Sequence, residues 1–457
     1  MSGNEDAQAD WVERFTGVKV TNLRRRDGKV QTALDEIDVQ AEVRQRLGHA
    51  TAAQDLRDAR ARLDDERDDA RDADSGKAAL RELGAVKKEA RGVVPAAVDK
   101  SAREGLRRAI AKLLDRVDFE ISQSDDGRTK TGLENRQKGL RQRLAAVDDQ
   151  TSKSDLEALQ HSGLSLLDDA LKAGYTDKYR RKEIPDQRNK AYKAMLEDRF
   201  GFTVESPYVD LARFYDALSL VPLEHVQHDS LQSIKVSDAG GALGDYSDTA
   251  KRIRIDVAKV KERPKIEYAV DGSKKKLDTF NVATVHEVGH AVDDKAGIMA
   301  NPGHESYGGW AVDIGLDVVA GAYWDELETT IGNTNKAAVL AQIKEALDGK
   351  PAKRPYGLSD DHWKIVAPVL GRCQVLRKDE APWKTPRAVG DTVYHYTYGK
   401  WYSYSKQARD AVTVRDYQWR APGEWFAELY AASWITKKKP AAAVNADAAK
   451  FMYRDPK

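Results

Sequence analysis

Apolar residues recur three and four positions apart through most of the first 175 residues of this chain, as in Leu106, Ile110, Leu113 and Val117. This spacing places apolar side chains on one face of an α-helix, whereas a half-buried strand would require strict alternation. The breaks between such runs predict six helices. Their approximate ranges are 28–47, 51–72, 76–90, 95–122, 130–148 and 152–173.

The composition of the same region favours an all-α bundle or an antiparallel coiled coil. Residues 1–200 hold 40 basic and 39 acidic residues but only seven of the 35 aromatic residues, a composition typical of long charged helices. The segment 51–72 has a narrow apolar face, which fits either a solvated helix or partial disorder, and its frequent charge pairs favour the helix. We predict a helical region over 1–175 and a linker with a short helix over 176–200.

Charge, hydropathy and cysteine content exclude several classes of protein. The formal net charge of +1 gives no overall attraction to nucleic acid, and no stretch is apolar enough to predict a membrane span. The first residues lack the features of a Sec signal, which predicts a protein that is cytoplasmic as made and that would need a non-Sec route for export. The lone Cys373 excludes multi-cysteine metal sites, so a metal would need His and carboxylate ligands.

The pattern beyond residue 200 predicts an α+β domain over 201–440, followed by a tail over 441–457. Residues 233–236 and 251–256 alternate in the manner of strands, and the pattern after Phe280 is mostly helical. The aromatic run over 393–404 fits either a specificity pocket or a core hairpin.

His286, Glu287 and His290 form a His-Glu-x-x-His motif. On a helix, the spacing of four places both imidazoles on one face, within reach of one ion, and zinc prefers such ligands. Glu287 could take a proton from a zinc-bound water. The alternative is a surface helix with two unrelated histidines. The preceding strands, the apolar side of the helix and its end at Gly297 favour the metal site.

The third ligand is not fixed by this spacing. A metzincin site would need Gly and His where the chain has Asp293 and Ala296, so that class is excluded. Glu424 is the favoured candidate, because Pro422 marks the start of a helix and places Glu424 in its first turn, with Glu428 one turn later. Asp313 or Asp317 stays open as an alternative aspartate ligand. Glu305 and Glu326 are the glutamates considered for a thermolysin-like site, but no matching motif surrounds either of them.

These motifs resemble the zinc protease domain of anthrax lethal factor and related toxin-type metallopeptidases, which are gluzincins. The likeness rests on His-Glu-x-Gly-His-Ala-Val-Asp over 286–293, on Glu-x-Phe-Ala-Glu over 424–428, and on Tyr417 seven residues before the second motif. It covers about residues 200–440 and implies a zincin fold. The stretch 291–423 is longer than in lethal factor, which implies an insertion within about 300–400.

The resemblance also implies a role for each matching residue. The ligands of one Zn²⁺ per chain would be His286, His290 and Glu424. The general base would be Glu287, and Tyr417 would stabilise the oxyanion.

Further residues are expected around such a site. Glu428 and Asp293 would orient the imidazoles. The strand at 252–256 would be the upper edge strand, to which an extended peptide adds through backbone hydrogen bonds. The candidates for substrate binding are Arg252, Ile253, Arg254, Ile255, His304, Tyr394 and Tyr396.

The sequence therefore predicts a multidomain zinc metalloendopeptidase of the toxin or effector type, which hydrolyses peptide bonds of a protein substrate. The alternative is a helical interaction or structural protein in which a zinc-stabilised zincin domain binds without turnover. The presence of Glu287 and Tyr417 favours the enzyme. The N-terminal helices could serve self-association, attachment to a delivery apparatus or inhibition of the cleft, and their balanced charge disfavours nucleic-acid binding.

Overall fold

The computed structural model describes residues 20–454, apart from residues 125, 178, 206–210, 238, 240, 271, 301 and 334. The N-terminal region is helical, and the C-terminal part mixes helices and strands. The chain divides into two compact units, residues 1–262 with 454–457 and residues 263–453. Residues 1–19 of the predicted helical region and 455–457 of the predicted tail lie outside the described residues. The predicted domain limits at 175, 200 and 440 stay predictions.

Long helices dominate the first unit, as predicted. They are α1 (Val20–Arg46), α2 (Ala50–Arg71), α3 (Gly76–Ser122), α4 (Gly127–Ala145), α5 (Lys153–Gly174) and α6 (Ile184–Phe200). A shared apolar core joins α1, α2 and α3 through residues such as Leu34, Leu56 and Leu83. The segment 51–72 is therefore a packed helix, and the alternative of partial disorder is wrong.

The α3 helix is continuous over 47 residues, where the sequence predicted two helices with a break before Pro95. Proline removes a backbone hydrogen bond and crowds the preceding turn, at a cost of about 3 kcal/mol in a helix interior. Apolar side chains are buried on both sides of Pro95, among them Leu83 and Val86 before it and Leu106 and Ile110 after it. Packing along the whole length of α3 outweighs the local cost.

A four-stranded sheet also belongs to the first unit. Its strands are β1 (Thr203–Val204), β2 (Ser233–Val236), β3 (Gly244–Ser247) and β4 (Arg252–Ile255), in the order β1-β2-β4-β3. The two short helices beside these strands in sequence are α7 (Leu211–Leu218) and α8 (Val257–Glu262).

The β4 strand lies inside the sheet and not at its edge. It pairs in parallel with β2 and antiparallel with β3, and its alternation buries Ile253 and Ile255. Arg252 and Arg254 form ion pairs with acidic neighbours. The prediction of an upper edge strand here is therefore wrong, because the backbone groups that would bind an extended peptide already bind the two neighbouring strands.

The second unit begins with a hairpin of β5 (Lys265–Val270) and β6 (Ser273–Asp278), which leads directly into α9 (Thr279–Ala296). A second sheet follows, antiparallel, in the order β7-β10-β9-β8. Its strands are β7 (Ala311–Val312), β8 (Ala388–Val389), β9 (Thr392–Thr397) and β10 (Lys400–Ser405). The aromatic run over 393–404 therefore forms a hairpin.

Six further α-helices belong to the described part of the second unit. They are α10 (Leu316–Ile331), α11 (Lys336–Leu347), α12 (Asp360–Lys378), α13 (Lys406–Ala411), α14 (Pro422–Thr436) and α15 (Ala446–Ala449). The α10, α11 and α12 helices enclose an apolar core that contains the buried Cys373. These three helices lie within the range in which an insertion was predicted. In the part of the chain that the structure describes, no helix has the length and apolar character needed to cross a membrane.

Candidate metal centre

The α9 helix carries the His-Glu-x-x-His motif in its middle turns. The Asp278 side chain accepts a hydrogen bond from the backbone N–H of Asn281 at the start of the helix, and Gly297 ends it in the left-handed conformation that glycine adopts readily. His286 and His290 therefore lie one turn apart on one face, as predicted, with their Nε2 atoms 3.1 Å apart. Glu287 is buried beside His286 in sequence.

The α14 helix brings a carboxylate to the two imidazoles. Pro422 occupies its first turn, where the missing N–H costs nothing, and Glu424 follows in the same turn. The Oε2 atom of Glu424 lies 3.0 Å from Nε2 of His286 and 3.4 Å from Nε2 of His290. The three side chains thus present one ligand atom each within 4.8 Å of one another, and this cluster could hold a metal ion.

Close packing of the two helices depends on Gly289. A Cβ atom at this position would lie 3.0 Å from the Cα of Ala427 and 3.2 Å from the ring of Tyr430. Such contacts are tighter than about nine in ten observed Cβ contacts, so the neighbouring atoms of α14 would have to shift by a few tenths of an ångström. Glycine inside the motif therefore allows the approach that places Glu424 against the histidines.

The electrostatics of the cluster match a cation site. Burial opposes the negative charge of Glu424, but hydrogen bonds with His286 and His290 hold its pKa well below the usual range. Burial likewise opposes a charge on His286, whereas Glu424 and Glu428 raise its pKa. Two imidazole nitrogens and one carboxylate oxygen converge, and all three bind cations through electron pairs. The residues present therefore fit a metal.

Glu428 lies on the Nδ1 side of the His286 ring, and its orienting role stays a prediction. Its Oε1 atom is 3.6 Å from Nδ1 of His286, which has no hydrogen-bond partner among the described residues. The carboxylate is only 1% exposed. Tyr268 donates a hydrogen bond to it, and Nη1 of Arg415 donates another at 3.1 Å. Tyr268 and Arg415 were not predicted, because neither belongs to a motif.

Asp293 fastens the turn after α9. Its Oδ1 atom accepts a hydrogen bond from the backbone N–H of Met299 at 2.7 Å. Burial raises its pKa to about 6, although this hydrogen bond and the nearby His290 act in the opposite direction. The proposed orienting role toward His290 stays a prediction.

Two tyrosines meet the second oxygen of Glu424. The hydroxyl of Tyr417 donates to Oε1 at 3.1 Å and accepts a hydrogen bond from Nη1 of Arg420 at 2.7 Å. The hydroxyl of Tyr398 donates to the same Oε1 atom at 3.0 Å. Tyr398 lies in the aromatic run but was not among the predicted site residues. Oε2 of Glu424 therefore faces the imidazoles, and Oε1 faces the tyrosines.

The residues predicted to bind substrate make contacts of other kinds. The Nδ1 atom of His304 accepts a hydrogen bond from the N–H of Ser306 and thereby caps a short 3₁₀ helix. Tyr394 and Tyr396 pack in the core of α10, α11 and α12. Arg252–Ile255 forms β4 of the first unit. Binding of an extended peptide by β4 is wrong, because both sides of this strand are paired. A role in binding substrate stays a prediction for His304, Tyr394 and Tyr396.

Three of the alternative third ligands form ion pairs with basic side chains. Asp313 pairs with Lys400, Asp317 pairs with Lys344, and Glu326 pairs with Arg372. The acidic residue that meets the two histidines is Glu424.

No family model matches the chain, and none of the curated proteins or solved structures compared with it matches either.

Proposed function

We propose that this chain is a zinc-dependent metalloendopeptidase that hydrolyses peptide bonds of a protein substrate. The observation that carries the proposal is the convergence of the Nε2 atoms of His286 and His290 with Oε2 of Glu424. Two histidines and one glutamate are a ligand set of catalytic zinc sites, which keep a further position open. When bound, zinc supplies a Lewis acid that polarises a carbonyl group and lowers the pKa of water to about 7.

The residues around the cluster supply the remaining chemistry. Glu287 follows the first histidine on α9, and as general base its carboxylate would accept the proton of the attacking water and pass it to the leaving amine. Arg420 donates a hydrogen bond to the Tyr417 hydroxyl. In the structure this hydroxyl donates to Oε1 of Glu424, and its single proton would turn to the developing oxyanion during the reaction, while Tyr398 keeps its hydrogen bond to Oε1. Glu428 would hold the imidazole of His286 in one orientation.

The likeness to the lethal factor protease domain supports the same assignment. It is carried by the two motifs and by Tyr417, and we extend the proposal to a zincin-type domain and to a toxin or effector role. The N-terminal helices would then serve self-association, attachment to a delivery apparatus or inhibition of the cleft.

The test is N-terminal peptide profiling, which detects new protein N-termini in a cell lysate incubated with the zinc-loaded full chain. Glu287→Gln removes the proposed base while leaving the ligands, and Glu326→Gln is a matched control on α10. We expect new protein N-termini with the wild type and the control, and none with Glu287→Gln at equal zinc content.

Wild-type protein that binds zinc but produces no new N-termini would contradict a peptidase. That result would favour a zinc-stabilised binding module.

A further inference from the structure

Tyr398 has a backbone conformation that bulky residues rarely adopt. Tyr398 and Gly399 form the two-residue loop between β9 and β10, with φ angles of 49° and 76°. Positive φ at both positions is the mark of a type I′ turn, whose first position favours Asn, Asp or Gly. A non-glycine residue in this region carries strain of about 1 kcal/mol or more.

The strained turn places the Tyr398 hydroxyl against a proposed metal ligand. The hydroxyl donates to Oε1 of Glu424 at 3.0 Å, while the residue as a whole is 54% exposed. The guanidinium of Arg420 lies 4.3 Å from the centre of the Tyr398 ring, close enough for a cation–π contact. Arg420 also donates to Tyr417, which binds the same Oε1 atom. Both tyrosines and the arginine thus form one network on one carboxylate oxygen.

This network has a consequence for how Glu424 can bind a metal. A carboxylate can offer a cation one oxygen or both. With Oε1 occupied by two hydroxyl donors, Oε2 is the oxygen that faces the two imidazoles. Asn or Gly at position 398 would suit the turn better, but neither carries a side chain as long as tyrosine.

We propose that Tyr398 is a positioning residue of the metal centre, which holds Glu424 so that a single oxygen, Oε2, meets the metal. The inference rests on the proposed function, because it requires that Glu424 be a ligand. Strained residues persist where the surrounding structure holds them, and they cluster at functional sites. Tyr398 breaks a local rule of turn formation at the point where its hydroxyl reaches a ligand, as expected if the site imposes the residue.

The experiment compares three variants of the full chain. Tyr398→Phe removes only the hydroxyl and keeps the ring and its contact with Arg420. Tyr398→Asn removes the ring and suits the turn. The control, Tyr396→Phe, removes a hydroxyl from the same hairpin, where the ring packs against Trp401 and Arg377.

Three quantities are measured: Zn²⁺ affinity by competition with a chelator, the absorption spectrum of the Co²⁺-substituted protein, and the thermal midpoint of the metal-free protein. We expect Tyr398→Phe to bind Zn²⁺ about tenfold more weakly, as is typical for the loss of a group that orients a ligand. Its Co²⁺ spectrum should change while its metal-free midpoint stays that of the wild type. Tyr398→Asn should lose affinity equally without a lower midpoint, and Tyr396→Phe should bind like the wild type.

The inference is overturned if Tyr398→Phe has the zinc affinity and Co²⁺ spectrum of the wild type. It is also overturned if Tyr396→Phe loses as much affinity, or if the loss in Tyr398→Phe follows only from a lower metal-free midpoint, since Tyr398 would then be a packing residue. A wild-type chain that binds no zinc would overturn both this inference and the proposed function. If the wild type binds zinc and Tyr398→Phe has the same zinc affinity and Co²⁺ spectrum, this inference alone would be overturned.

Discussion

Oε2 of Glu424 lies 3.0 Å from Nε2 of His286, although 138 residues separate the two side chains along the sequence. The contact joins the first turn of α14 to the middle of α9. The distance depends on how closely the two helices pack. Substitutions at residues that are not proposed metal ligands can therefore still disturb the site.

Gly289→Ala should weaken the metal centre and destabilise the second unit. The added Cβ would press on the backbone of Ala427 at 3.0 Å, and overpacking of this kind costs about 1–3 kcal/mol. Separation of α9 from α14 would also move Glu424 away from the histidines and lower zinc affinity. Urea unfolding and zinc competition measure the two effects.

Gly321→Ala is the matched control for this prediction. Gly321 lies in α10, and a Cβ there would meet nothing within 4 Å. Alanine in a helix interior is favoured over glycine by about 0.5–1 kcal/mol, so this variant should be as stable as the wild type or more stable. Equal stability and equal zinc affinity of the two alanine variants would contradict the role of Gly289.

Arg415→Met should destabilise the protein by about 2 kcal/mol, because it leaves the buried Glu428 carboxylate without its charged donor. Tyr268 would still donate, so the loss should be partial. The double variant Arg415→Met with Glu428→Gln should be less destabilised than the sum of the two single variants. Urea unfolding of the four proteins gives the coupling, and strictly additive effects would show that the pair does not interact.

His395 should make the stability of the second unit depend on pH. Burial lowers its pKa to about 4, and the charge of Arg409 acts in the same direction, while the hydrogen bond from Nε2 to the carbonyl of Arg420 opposes them. An unfolded histidine has a pKa of about 6.5. Between about pH 6.5 and pH 4 the unfolded chain binds more protons at His395 than the folded protein does. The free energy of unfolding therefore falls as the pH falls, by at most about 3 kcal/mol for this group.

Tryptophan fluorescence reports on this transition, since eight of the nine tryptophans lie between residues 310 and 434. Urea midpoints at pH 7.5 and pH 5 should differ less for His395→Gln, which does not titrate, than for the wild type. The same pH dependence in both proteins would rule out His395 as its source.

The sequence predicted the part of the site that lies within one helix. The spacing of His286 and His290 determines that both rings share a face, whatever the rest of the fold does. Glu424 was predicted because Pro422 marks a helix start and because the surrounding motif resembles a known family. The convergence with the histidines depends on helix packing, which no local pattern encodes.

The sequence predictions that were wrong or missing share one physical cause, which is that the features depend on tertiary contacts. The α3 helix runs through Pro95 because burial along its length outweighs a local cost. The β4 strand was predicted to be an edge strand from the resemblance to zincins, and its own alternating pattern does not determine how many neighbours pair with it. Tyr398 was missed because its turn violates the residue preferences from which turns are predicted.

The role of Glu424 as a zinc ligand is tested by the zinc content of the purified full chain after dialysis against excess zinc and removal of free metal. The variants are Glu424→Gln and Glu326→Gln, since Glu326 was an alternative ligand on sequence grounds. We expect one zinc per chain for the wild type and for Glu326→Gln, and clearly less than one for Glu424→Gln. A wild type without zinc, or a Glu424→Gln variant that retains one tightly bound zinc, would contradict this role.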